Sequence, residues 1–170
     1  MTAAENRETI IEYWLEKAGE SLDAARDELA AGRLTFSVNR AYYACFYAVS
    51  ALLLSKEMRF KKHSGVRAAF QQHFVKTAKV SREDGRLFDE LFESRQRADY
   101  MELIQFEAAQ VEEYAGQARA FVAETRPMTE DIIVDYDSHG RIFGIEFLNA
   151  STHLPDSLLS ESRDRRKKSA

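Results

Sequence analysis

Helix breakers are scarce in this chain, which has two prolines and seven glycines in 170 residues. With apolar residues at 45% and charged ones at 31%, the composition is neither disordered nor fibrous, and it leans toward helix. A single cysteine, Cys45, excludes an intramolecular disulfide, and its apolar helix marks it as a buried, unreactive thiol. No run of about 18 apolar residues occurs, and the N-terminus lacks a positive-then-apolar signal pattern. The expectation is a cytoplasmic protein in a reducing compartment, with no membrane partner. Glycine-rich phosphate loop, nucleophile elbow and kinase signature are all missing. His73, His139 and His153 have no metal-ligand spacing, so neither metal nor cofactor is expected. A net charge of −4 argues against a general nucleic-acid coat protein but leaves room for a local basic site.

What is there is helical periodicity. Ile10, Ile11, Trp14, Leu15, Ala18, Leu22, Ala25 and Leu29 recur at three- and four-residue steps, one apolar helix face, with Gly32 as the stop. A second helix over about 35–56 is apolar nearly all round from Ala41 to Leu54, which suggests a central, buried position. A basic turn follows, then a shorter helix over about 64–76 with Val66, Phe70 and Phe74. Ser81 caps the next helix, with Glu83 and Asp84 in its first turn. A last long helix covers about 103–125. Short connections between long amphipathic helices predict an antiparallel all-α bundle of about five helices. Past Pro127 the pattern changes to β: residues 131–135, a turn over 137–140, and residues 141–148 read as one hairpin appended to the bundle. Two strands alone are marginal in water, so they would pack on the bundle or pair with another chain. The expected organisation is a bundle over 1–126, a hairpin appendage over 127–154 and a flexible polar tail over 155–170.

Two segments carry candidate chemistry. The first, Asn-Arg-Ala-Tyr-Tyr-Ala-Cys-Phe-Tyr over 39–47, sets Arg40, Tyr43 and Tyr47 on one helix face. A guanidinium in an apolar helix is costly unless paired. Arg40 therefore either binds an anion, with the tyrosines stacking on bases, or is buried against a carboxylate, Asp99 or Glu93. The second, Glu-Ser-Arg-Gln-Arg-Ala-Asp-Tyr over 93–100, sets Arg95, Asp99 and Tyr100 on one face, suited to holding a phosphate. His63 lies in the basic turn with Lys61 and Lys62. It is either an acid–base residue or part of a solvated turn in which Ser64 caps the following helix. The lysines and arginines from Lys56 to Arg67 are the best candidates for nucleic-acid backbone contact.

From about residue 13 to 124 the chain resembles the HEPN domain family, and more closely a small prokaryotic branch of it. The matching segments are Asn39-Arg-Ala-Tyr-Tyr-Ala-Cys-Phe-Tyr-Ala48, Lys62-His-Ser-Gly-Val66, Phe70 with His73-Phe-Val-Lys76, and Arg95-Gln-Arg-Ala-Asp-Tyr100. The resemblance implies a helical bundle and, in many members, a metal-independent ribonuclease built on an arginine with a histidine a few residues on. Others are toxins, or partners of a minimal nucleotidyltransferase that silences them. Here the motif histidine is replaced by Tyr100. A tyrosine, with an ordinary pKa of about 10, is a poor base at pH 7. Residues 134–151 resemble the closing half of a small bacterial β-rich domain of unknown function.

The implied reading is an RNA- or nucleotide-directed HEPN protein of a toxin–antitoxin or defence type, working as a homodimer. If it cuts RNA, Arg95 stabilises phosphate charge, His63 or Tyr100 moves protons, and Asp99 orients the arginine. Arg40, Tyr43, Tyr47, Lys61 and Lys62 bind the nucleic acid. The alternatives are a non-catalytic module that binds a nucleotide or docks a nucleotidyltransferase or antitoxin partner, or a purely structural dimer.

Overall fold

The computed structural model describes residues 3–100, 105–126, 132–136 and 142–147. Five α-helices follow in order: α1 (Ala3–Ala30), α2 (Leu34–Ser55), α3 (His63–Phe70), α4 (Arg82–Tyr100) and α5 (Ala108–Thr125). α1 ends as its sequence dictates. Gly32 takes a left-handed φ of +72°, and the Arg33 amide reaches back to the Glu28 carbonyl at 2.9 Å. α2 is the axis of the bundle. Val38, Ala41, Tyr42, Ala44, Cys45, Ala48, Val49, Leu52 and Leu53 are all buried against its neighbours. Burial holds the Cys45 thiol protonated by pushing its pKa up. The Ser37 hydroxyl donates to the Ala25 carbonyl at 2.8 Å, which ties the start of α2 to α1.

An aromatic column fills the other end of the core. Phe88 meets Phe70 edge-on at 5.4 Å and stacks on Phe121 at 6.1 Å. Ser81 caps α4 as its sequence predicts: its Oγ accepts from the Asp84 amide at 3.0 Å and donates to the Asp84 carboxylate at 2.6 Å.

The helix expected over 64–76 is two pieces. α3 stops at Phe70, and a π-helical turn spans Gln71–Val75. His63 rather than Ser64 opens α3, so the expected Ser64 cap does not form. The wide turn brings Gln71 and Val75 onto α4. Gln71 Nε2 donates to the Gly85 carbonyl at 2.8 Å and to Asp89 at 3.1 Å.

The expected fold class, a bundle with an appended β-hairpin, is corrected to the helical bundle alone. Among the described residues no strand enters the unit Met1–Thr129. β1 (Ile132–Tyr136) and β2 (Ile142–Phe147) fall in a second unit, Glu130–Ala170, and pair with each other, antiparallel, with Val134 opposite Ile145. The five helices of the first unit define the class, and the two-stranded ribbon is described by itself. The expected turn over 137–140 and the tail over 155–170 lie outside the described residues.

Gly85 gives a test of this packing. A Cβ there would stand 2.8 Å from Val75 Cγ1 and 3.0 Å from its Cγ2, and valine has few rotamers to give way. Gly19 has no atom within 4 Å of the same position. Gly19→Ala should gain the helix-propensity difference of about 1 kcal/mol. Gly85→Ala should lose stability, because overpacking costs about 1–3 kcal/mol and outweighs that gain. Urea unfolding measures both, and equal stabilisation of the two variants would contradict this packing.

Candidate functional site

Tyr42 is wholly buried at the middle of α2, and a buried phenol needs a partner for its hydroxyl. It finds one at the mouth of the bundle, where its oxygen lies 2.8 Å from His63 Nδ1 on the first residue of α3. His63 is held flat as well, stacked on Phe46 with ring centres 4.1 Å apart and planes at 14°. Tyr43 presents its edge to the same imidazole at 5.9 Å. From α4, the Arg95 guanidinium lies 5.7 Å from the Tyr42 ring centre and 5.7 Å from that of Tyr43. Its Nε is buried, and the side chain as a whole is half-buried. Three helices therefore meet in a cation, an imidazole and two phenols.

The electrostatics follow from burial. Partial burial lowers the His63 pKa from its ordinary value, and the nearby Arg95 charge lowers it further. A histidine pulled below about 6.5 is mostly neutral at pH 7. Burial pushes the Tyr42 hydroxyl well up, against the pull of Arg95, so it keeps its proton. A Tyr42 hydroxyl that accepts from Nδ1–H leaves Nε2 as a base, and one that donates to Nδ1 puts the proton on Nε2. Which tautomer holds sets whether His63 Nε2 accepts or donates a hydrogen bond.

The other expected site residues divide. Arg40 is exposed rather than buried, which removes the cost expected of it. It donates to Asn39 Oδ1 at 2.7 Å and lies 5.3 Å from the Tyr43 ring centre. Glu93, offered as its buried partner, is exposed and contacts Arg67 at 3.4 Å. Tyr43 thus has Arg40 and Arg95 around one ring. Tyr47 stays beside Tyr43, with ring centres 5.7 Å apart, and also stacks on Trp14 of α1 at 5.3 Å. Lys61 and Lys62 are exposed beside His63, and the Lys62 carbonyl accepts the Gly65 and Val66 amides at 3.0 and 3.1 Å to start α3. The side chains of Asp99 and Tyr100, at the end of α4, lie outside the described residues.

Sequence reasoning missed Tyr42 and Phe46, which lie off the Arg40–Tyr43–Tyr47 stripe. Their signal was the four-residue spacing of two aromatics in a helix apolar all round. Arg67, the last of the Lys56–Arg67 cations offered for backbone contact, is instead engaged within the bundle: its Nε donates to Asp89 at 2.5 Å and its guanidinium lies 4.8 Å from the Phe92 ring centre, which braces α3 on α4. Among the described residues no three His, Cys, Asp or Glu side chains gather to hold a metal ion.

The lowered His63 pKa fixes a sign. Between its folded pKa and about 6.5 the unfolded chain binds the extra proton, so the His63 contribution to stability is full above that window and is lost as pH falls through it. Urea midpoints taken above and below pH 6 should fall more for the wild type than for His63→Gln. Equal losses would mean that His63 titrates normally in the folded state.

The model of the HEPN domain family matches residues 11–127. A second model, "Protein of unknown function (DUF2283)", matches residues 104–151, reaching further upstream than the closing half recognised in the sequence. The chain is 48% identical over 126 residues to "UPF0332 protein" of Thermotoga maritima, covering 74% of this chain and 96% of that one. It is 36% identical over 116 residues to "Putative toxin MJ0142" of Methanocaldococcus jannaschii, covering 68% and 79%. In structure it is similar to TT1696 from Thermus thermophilus, with a TM-score of 0.58 at 18% identity, covering 69% of this chain and 97% of that one. That coverage agrees with a fold class set by the helices and not by the strands. Among the described residues no helix is long and apolar enough to cross a membrane. By the span of the family match and the near-complete coverage of the Thermotoga relative, this chain belongs to the HEPN domain family, in the small prokaryotic branch that its UPF0332 relatives represent.

Proposed function

We propose that the chain is a toxin-type HEPN protein that acts on RNA by metal-independent transesterification. The observation that carries the reading is the meeting of Arg95 and His63 over the Tyr42 and Tyr43 rings, with the imidazole held neutral near pH 7. The family's motif histidine is replaced by Tyr100, and His63 supplies an imidazole from another helix. In this reading the His63 ring takes the proton of a ribose 2′-hydroxyl. The 2′ oxygen bonds to the neighbouring phosphorus, and the bond from phosphorus to the 5′ oxygen breaks. Arg95, oriented by Asp99, neutralises the charge that builds on the phosphoryl oxygens. Tyr100, protonated at pH 7, gives a proton to the leaving 5′ oxygen. The products are a 2′,3′-cyclic phosphate and a 5′-hydroxyl. Arg40, Lys61 and Lys62 hold the phosphate backbone, and Tyr43 offers a ring face to a base. The name of the Methanocaldococcus relative supports a toxin's role, which requires an antitoxin or a silencing nucleotidyltransferase as partner. The proposed assembly is a cytoplasmic homodimer.

One sequence feature favours a second reading. With tyrosine in the histidine's place, the same cluster suits a module that binds a phosphate or nucleotide without cutting.

Purified protein with total RNA in EDTA separates the two. The first reading predicts cyclic-phosphate ends, a loss of about 10²–10³-fold in Arg95→Ala, and a loss of about 10²–10⁴-fold in His63→Ala. Intact RNA with folded, partner-free protein would leave the binding module.

A further inference from the structure

The connection into α3 reads Arg59-Phe60-Lys61-Lys62-His63, one aromatic ring among three cations, next to the imidazole. Phe60 is 41% exposed, whereas most large apolar side chains of the bundle are buried. Its exposure does not come from a loose tether. The ring rests on the first turn of α3 at Gly65, where an added Cβ would stand 3.3 Å from Phe60 Cδ1 and 3.5 Å from its Cβ. One side of the ring is thus backed by the helix while part of it stays open to water. Arg59, Lys61 and Lys62 around it are all exposed. A rigid ring with one open side, bordered by cations, is the arrangement that receives a nucleobase along a charged backbone track.

We infer that Phe60 is a base-stacking platform, and that the ligand is single-stranded RNA whose unpaired base lies on this ring while an adjacent phosphate reaches His63 and Arg95. The inference rests on the RNA-directed reading above and adds the strandedness of the substrate and the residue that selects it. A duplex keeps its bases stacked on each other and cannot offer one to Phe60. The glycine at 65 belongs to the same device, because a side chain there would press on the ring.

The test uses the full chain and a fluorescein-labelled ten-nucleotide RNA carrying 2′-O-methyl groups, which cannot be cut, as a single strand and as a duplex with its complement. Fluorescence anisotropy should show the single strand bound at least about tenfold more tightly. Phe60→Ala should weaken it about fivefold to about a hundredfold, the range set by base–aromatic stacking. Phe60→Leu, which keeps apolar bulk on Gly65 but has no π face, should lose nearly as much. Phe60→Trp should retain binding, with its added indole emission quenched by RNA. Circular dichroism checks that each variant is folded. Single-strand binding untouched by Phe60→Ala and Phe60→Leu, or a duplex bound equally well, would overturn the inference while the RNA reading stands. An oligomer that dissociates in Phe60→Ala would also overturn it, since the ring would then be covered by a second copy. A wild-type protein that binds neither RNA at low salt defeats the RNA reading itself.

Discussion

The hydroxyl of Tyr42 is a polar group that the centre of the bundle cannot leave without a partner. A buried phenol left unpaired is costly, and on the axial helix its hydroxyl meets the start of α3. Because His63 meets it there, the loop after α2 has a fixed end and α3 a fixed first residue. The ring of the same tyrosine packs on Phe88 and Phe92 of α4 and faces Arg95. One side chain thus holds the imidazole in place and helps position the guanidinium. The Arg67–Asp89 pair braces α3 and α4 from the outer side, where two half-buried charges in contact resist sliding.

Much of the bundle was legible in the sequence because helical periodicity and caps are local signals. The face of α1, its stop at Gly32, the all-round apolar α2 and the Ser81 cap each depend on residues within a few positions of one another. The break at Phe70 was not legible, since a π-helical turn is stabilised by what Gln71 and Val75 touch on α4, far along the chain. The hairpin appendage failed as part of the fold class for a related reason. A β-rich run can indicate strands, but the fold class is set by the five helices of the bundle.

The candidate site divides along the same line. Arg95 and His63 stood out as charged or titratable residues in unusual places. Arg40 stood out for the same reason yet lies at the surface, because one helix position decides whether a side chain faces the core or water. Tyr42 went unnoticed beside Tyr43, although it is the residue that holds the site together. A helix stripe read from spacing ranks residues by face, whereas the geometry ranks them by which hydrogen bond has nowhere else to go. The resulting cluster sets an imidazole with a lowered pKa near a guanidinium, and the proposed phosphate site rests on that pairing whether or not the phosphate is cut.

That pairing is the central claim, and the ionisation of His63 in the presence of a phosphate chain tests it most directly. The His63 ring resonances would be followed by NMR across pH, first alone and then with a saturating 2′-deoxy dinucleotide that cannot be cleaved. Arg95 and burial hold the pKa below its ordinary value in the free protein, and a phosphate between the two groups should raise it. The rise should vanish in Arg95→Gln. A His63 that titrates at its ordinary value in the free protein, or that is indifferent to the bound dinucleotide, would contradict a shared anion site.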